Sequence, residues 1–151
     1  MSILKFVGVL ASAAVALMAG DITVENPYAK EVAPNMKNSA AFMTIKNTSD
    51  KKISLVTARN DSSAITELHT HGKKDGMMVM YKVEKIEIPA HGEALLKPMG
   101  LHVMLIGLNK QLKEGDTVNL ELVFDNGESV KVVAPVKKLQ GMMKPYMDTH
   151  K

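Results

Sequence analysis

The chain has 151 residues, room for one domain with short additions at its ends, and its 46% hydrophobic and 23% charged residues exclude both global disorder and a polytopic membrane protein. With no Cys, it holds no disulfide, thiolate zinc site, iron–sulfur cluster, Cys nucleophile or Cys-ligated blue-copper centre, which leaves His, Met and carboxylate as metal ligands. Its net charge of +3, from 19 Lys+Arg against 16 Asp+Glu, is scattered along the chain and forms no basic stripe for nucleic acid.

Residues 1–20, MSILKFVGVLASAAVALMAG, carry one Lys, an uncharged run of thirteen residues from Phe6 to Met18, and small residues before Asp21. That is the pattern of a secretory signal peptide. A membrane-spanning helix wants about 20 apolar residues, so cleavage after Ala19 or Gly20 is expected rather than anchoring. No Cys follows to carry a lipid. The mature chain is then expected in the periplasm, not inserted in the membrane, with its net charge lowered from +3 to +2 by loss of Lys5.

From Ala40 to Val136 short alternating or β-branched runs are separated by turn residues, which predicts an all-β sandwich or barrel. The expected strands are 40–47, 53–58, 64–71, 77–83, 86–88, 93–97, 101–107, 117–124 and 129–136. Turn chemistry divides them, notably KKDG, PAHGE, KPMG and the hairpin signal Asp125-Asn126-Gly127. The domain organisation expected is a leader over 1–20, one domain over 21–137 and a tail over 138–151 without a core face.

Alternation puts Leu101, Val103 and Leu105 on one face of their strand and His102, Met104 and Ile106 on the other. The same rule groups Glu67, His69 and His71. It also groups Met78 and Met80 with Lys82, leaving Met77, Val79, Tyr81 and Val83 as the apolar face. Three strands thus each present a soft or imidazole donor on the less apolar side. Two imidazoles with two thioethers suit Cu(I), since hard ions do not accept thioether. Met is equally a flexible core filler, and spacing alone leaves both readings open.

His69, Met80, His102 and Met104 reproduce H-x10-M-x21-H-x-M in the contexts ELHTH, GMMVM and GLHVMLIGL. The motif resembles that of the periplasmic Cu(I) chaperone family called PCuAC, and the flanks SAAFMTIKNTSD, IEIPAHGEALLKPMG and LNKQLKEGDTVNLELVF extend the likeness over about 21–136. The resemblance implies a cupredoxin-like Greek-key β-barrel or sandwich. It makes His69, Met80, His102 and Met104 the primary Cu(I) ligands. It also implies delivery of copper to the CuA centre of cytochrome c oxidase, or to a Sco-type thioredoxin-like protein, by a monomeric non-enzyme.

His71 is an alternate or Cu(II) ligand or else a solvated edge residue. Some family members bind a second copper, Cu(II) or Cu(I), in a Met/His-rich C-terminal extension; here the tail offers Met142, Met143, Met147 and His150, with only that one His. Met36 reads as an accessory ligand, a core residue or a merely exposed one, Met99 as a turn residue near the site, and His91 as a surface turn residue. Three rival functions share these residues. They are a copper-buffering or resistance protein without a dedicated acceptor, a three-His hydrolase of His69, His71 and His102 with Glu67 as base, and a metal-free adhesion module.

Overall fold

A computed structural model describes residues 17–139. The strands are β1 (Leu17–Ala19), β2 (Ile22–Lys30), β3 (Asn38–Asn47), β4 (Ile53–Asn60), β5 (Ser63–Lys74), β6 (Met77–Val83), β7 (Ile86–Ile88), β8 (Glu93–Leu96), β9 (His102–Leu108), β10 (Thr117–Phe124) and β11 (Ser129–Lys137). Among the described residues there is no helix. The leader and the tail beyond Leu139 lie outside them, apart from β1, whose backbone pairs Ala19 with Ile22 and Leu17 with Val24.

β6, β7 and β10 have the bounds that alternation and turn residues predict, and the other expected strands differ from theirs by a few residues at one end or both. β2 was not among the expected strands. Its sequence ITVENPYAK contains Pro27, which lacks an amide donor, and Asn26 sits at a φ of 53° where the register to β3 slips between Glu25 and Tyr28. The bulge absorbs both residues and pairing resumes at Tyr28–Phe42.

The strand order is β6-β5-β9-β3-β2-β11-β10-β4-β7, with β1 added to β2 and β8 to β3. β2 and β11 run parallel, through Ala29–Val136, and join two layers whose other named pairings are antiparallel. The chain leaves β4 in one layer and enters β5 in the other, so these two strands, adjacent in sequence, are not adjacent in the sheet. This two-layer arrangement is the cupredoxin-like fold.

Between the layers lies one core. β10 points Val118, Leu120, Leu122 and Phe124 inward while β11 does the same with Val130, Val132, Ala134 and Val136, the strict period of two that one covered face demands. Opposite them stand Ile22, Val24, Met43, Ile45, Val103 and Leu105, all essentially buried. Full burial of such side chains contributes about 1.5–3 kcal/mol each. The β10–β11 hairpin turns on Gly127, at a φ of 92° that a side chain would strain.

β6 departs from the expected pattern. Met77, Met78, Met80 and Tyr81 are all exposed and only Val79 and Val83 are half-buried, so the strand has no buried apolar face. The reason is position: β6 is the outermost strand, paired to β5 alone, and no opposite layer covers it. Edge placement overrides the alternation.

Asn47, at the end of β3, is 2% exposed and pins a corner of the sandwich. Its Nδ2 donates to the Lys51 carbonyl at 2.7 Å and to the Ile88 carbonyl at 3.1 Å, and its Oδ1 accepts from the amide and hydroxyl of Ser49. Asn47→Ala strands these groups, so a loss of at least about 2 kcal/mol is expected in urea unfolding. A loss below about 0.5 kcal/mol would show that solvent takes over its role.

Candidate metal centre

Alternation about β9 builds the site. Val103 and Leu105 point into the core with no exposed surface, which turns His102 and Met104 to the outer face of the layer. β9 is flanked by β5 and β3, and its register sets His102 opposite His69, Met104 opposite Glu67, and Met104 opposite Ala40. On the far side of β5, His71 faces Met80 and His69 faces Lys82. Directly paired residues share a sheet face, so His69, His71, Met80, His102 and Met104 occupy one surface.

That surface is the wall of a cleft of about 850 Å³ lined by His71, Met80, His102 and Met104, with Met36 and Met99 on other parts of its wall. Ala40 and Phe42 also line it, the small Ala40 leaving room beside Met104. The segment from Lys30 to Met36 and the turn at Pro98–Met99 fold toward the same space. His69 is not part of the wall, but its ring lies 5.8 Å from that of His102, and the His71 ring lies 5.3 Å from it on centroids. Phe42 stacks obliquely on His102 at 6.2 Å and on Tyr28 at 5.2 Å, fixing the back of the site.

The imidazoles are held in defined orientations. His102 is 3% exposed, and its Nδ1–H donates to the Gly100 carbonyl at 2.9 Å, leaving Nε2 as a lone-pair donor. His69 Nε2 lies 2.8 Å from Glu67 Oε1, while its buried Nδ1 has no hydrogen-bond partner. His71 Nδ1 makes only a long approach, 3.4 Å, to the same Gly100 carbonyl. Burial pushes His102 below the ordinary imidazole pKa, and like charge on His71 and His69 adds to this against the Gly100 hydrogen bond.

The methionines sort by burial. Met43 is core at 1% exposure, whereas Met36, Met77, Met78, Met80 and Met99 are each more than two-fifths exposed, and Met104 is half-buried. Core filling therefore does not explain Met80 or Met104. A buried imidazole nitrogen without a hydrogen-bond partner, on the same sheet face as two thioethers, suits a soft monovalent cation better than a hard one.

Among the described residues, no three His, Asp or Glu side chains are disposed to hold a metal ion together. The grouping of His69, His71 and His102 with Glu67 as a hydrolytic centre is thus not assembled, and Glu67 is engaged with His69. His91 is an exposed turn residue and Met36 is exposed at the cleft. Met142, Met143, Met147 and His150 fall outside the described residues, although Lys138 and Leu139, which lead to them, line the cleft. Sequence reasoning missed Phe42 and the Gly100 carbonyl; only the alternation of SAAF and the turn KPMG hinted at them.

This layered, all-β architecture is the fold of solved PCuAC domains. The copper-bound PCuAC domain from PmoF2 superposes with a TM-score of 0.71 at 19% identity, over 82% of this chain and 98% of that one. The apo PCuAC domain from PmoF1 gives 0.71 at 22%, over 82% and 99%; at these identities the likeness is one of fold. DR1885 from Deinococcus radiodurans is 35% identical in its apo solution structure, with a TM-score of 0.61 over 91% of this chain and 93% of that one, and 34% identical in its Cu(I) form.

A family model described as "Putative lipoprotein LpqE-like" matches residues 22–136, and the chain belongs to this LpqE-like family. "Putative lipoprotein Lxx21020" of Leifsonia xyli subsp. xyli is 30% identical over 129 residues, 85% of this chain and 76% of that protein.

The depressed pKa of His102 has a consequence for folding. The unfolded chain takes up a proton on this residue near its ordinary value of about 6.5, whereas the folded chain refuses it until lower pH. Stability tied to His102 is thus complete above about pH 6.5 and is lost as pH falls toward the folded value. Urea unfolding of metal-free protein between about pH 7.5 and about pH 5 should show this slope, and His102→Gln should flatten it. Parallel profiles for the two proteins would refute the assignment.

Proposed function

We propose that this protein is a Cu(I) metallochaperone of the exported compartment, with His69, Met80, His102 and Met104 as the ligands and copper as cargo. The observation that carries the reading is the gathering of two imidazoles and two thioethers on one outer sheet face, His102 buried and Met80 44% exposed. Support comes from the copper-binding relatives, DR1885 in its Cu(I) form foremost.

All four donors are neutral, so the ion keeps its charge and the thioether bonds stay exchangeable. The buried His102 anchors, and the exposed Met80 is where an acceptor ligand enters. Met36 and Met99, exposed along the same cleft, give the departing ion further soft contacts. The acceptor we propose is the CuA centre of cytochrome c oxidase or a Sco-type thioredoxin-like protein. Met142, Met143, Met147 and His150 would assist capture of a second copper, Cu(I) or Cu(II), since Lys138 and Leu139, which precede them, line the cleft, and His71 would serve as an alternate ligand.

Periplasmic location follows in this reading from the leader over 1–20 and from relatives named as lipoproteins. The chain differs from that name in one respect: without Cys it has no thiol for a lipid thioether. Absence of Cys also suits an oxidising compartment, where thiols are drawn into disulfides and thioethers are not.

The decisive experiment is Cu(I) titration of the chain from Asp21 onward against a competing chelator, followed by mixing with apo CuA domain. One tightly held Cu(I) that passes to the acceptor is the expected result; retention beside a competent acceptor would favour buffering, and no binding would end the copper reading. Met80→Leu and Met104→Leu should each weaken Cu(I) binding by at least about tenfold, since the sulfur is lost at nearly constant volume. Their folding stability should change by less than about 1.5 kcal/mol. Undiminished affinity in both variants would remove the thioethers from the site.

A further inference from the structure

We propose that Glu67 is the positioning residue for His69: its carboxylate, braced by Lys82, holds the imidazole as the Nε2–H tautomer and thereby reserves Nδ1 for the metal. This inference rests on the copper reading above and assigns a role within the same site.

The geometry leaves little freedom. Glu67 and His69 are two apart on β5, so both side chains rise from the same face, and their contact is short, 2.8 Å between Glu67 Oε1 and His69 Nε2. An ionised carboxylate only accepts hydrogen bonds, so Nε2 must carry the proton and Nδ1 must carry the lone pair. The other carboxylate oxygen, Oε2, lies 3.8 Å from Lys82 Nζ. Lys82 is the residue directly across from His69 on β6, so the brace comes from the neighbouring strand.

Nδ1 is the telling atom. It is buried, without a hydrogen-bond partner in the structure, and burying a polar group unpaired is costly. A nitrogen kept in that state beside His102, whose own Nδ1 is tied to Gly100, is a lone pair awaiting a cation. The two histidines would thus bind through opposite nitrogens, His69 through Nδ1 and His102 through Nε2, each with the remaining N–H fixed by an acceptor. Such an acceptor behind a metal-ligating His sets its tautomer and raises its basicity.

A purely structural role explains less. Glu is a poor strand former, and a half-exposed ion pair such as Glu67 with the more exposed Lys82 contributes little to stability.

The test combines long-range ¹H–¹⁵N correlation of the His rings in metal-free protein with Cu(I) affinity by chelator competition, for wild type and for E67A, E67Q and K82M. Wild type should show His69 as Nε2–H. E67A should show mixed tautomers and a 10- to 100-fold weaker Cu(I) site, the range typical for loss of such an outer partner, with its thermal midpoint little changed. E67Q, whose amide oxygen still accepts but which has no charge, should fall between, and K82M should lose less than E67A. If E67A proves poorly folded, E67Q and K82M carry the comparison.

His69 found as Nδ1–H in wild type would overturn the inference, and so would tight Cu(I) binding left unaltered by both Glu67 substitutions. Failure of the copper reading itself looks different: wild-type protein would take no Cu(I), whatever the tautomer of His69.

Discussion

Everything at the donor cluster depends on the period-two alternation of β9 between two flanking strands. Val103 and Leu105 must face the core, because only that face has an opposite layer to cover it, and they leave His102 and Met104 no choice but the outer face. A one-residue slip would carry both donors into the core and both aliphatic residues out of it, so the hydrophobic effect that stabilises the sandwich also enforces the site. Antiparallel register then does the rest. It brings His69 beside His102 and, one strand farther out, Met80 beside His71.

The site is therefore graded from the centre of the layer to its edge. His102 sits on an interior strand, buried, stacked near Phe42 and tied to a backbone carbonyl. Met80 sits on the outermost strand and is 44% exposed. On the copper reading proposed above, a donor fixed by core packing and a donor at an exposed edge would suit a carrier, one retaining the ion while the other is exchanged. Neutral ligands keep each bond weak enough to be replaced singly.

Much of this was legible in the residues before any coordinates. Turn chemistry and alternation located nine of the strands because their signals are local, and the shared face of His102 with Met104 follows from spacing alone. β2 was not legible: Asn26 and Pro27 read as a break, and only pairing with β3 and β11 shows that the break is a bulge within a strand. β6 failed in the opposite way. Its alternation was real, yet whether a face is buried depends on what lies opposite, which no local pattern encodes. The orientation of His69 was hidden for a related reason. Glu67 lies two residues away in sequence, but that it contacts His69, with Lys82 of the next strand on its other oxygen, is visible only once the strands are paired.

On the same reading, buried histidine and exposed methionine would also divide the work of discriminating among ions. Divalent zinc would accept the imidazoles, but Glu67, the carboxylate on their own sheet face, is engaged with His69 and Lys82. Calcium and magnesium find no cluster of oxygens among the described residues. A soft monovalent ion loses nothing by the shortage of anionic ligands, because its charge is small and thioether sulfur is its natural partner. Selectivity on that reading would come less from a cavity cut to one radius than from the soft donors the outer face presents.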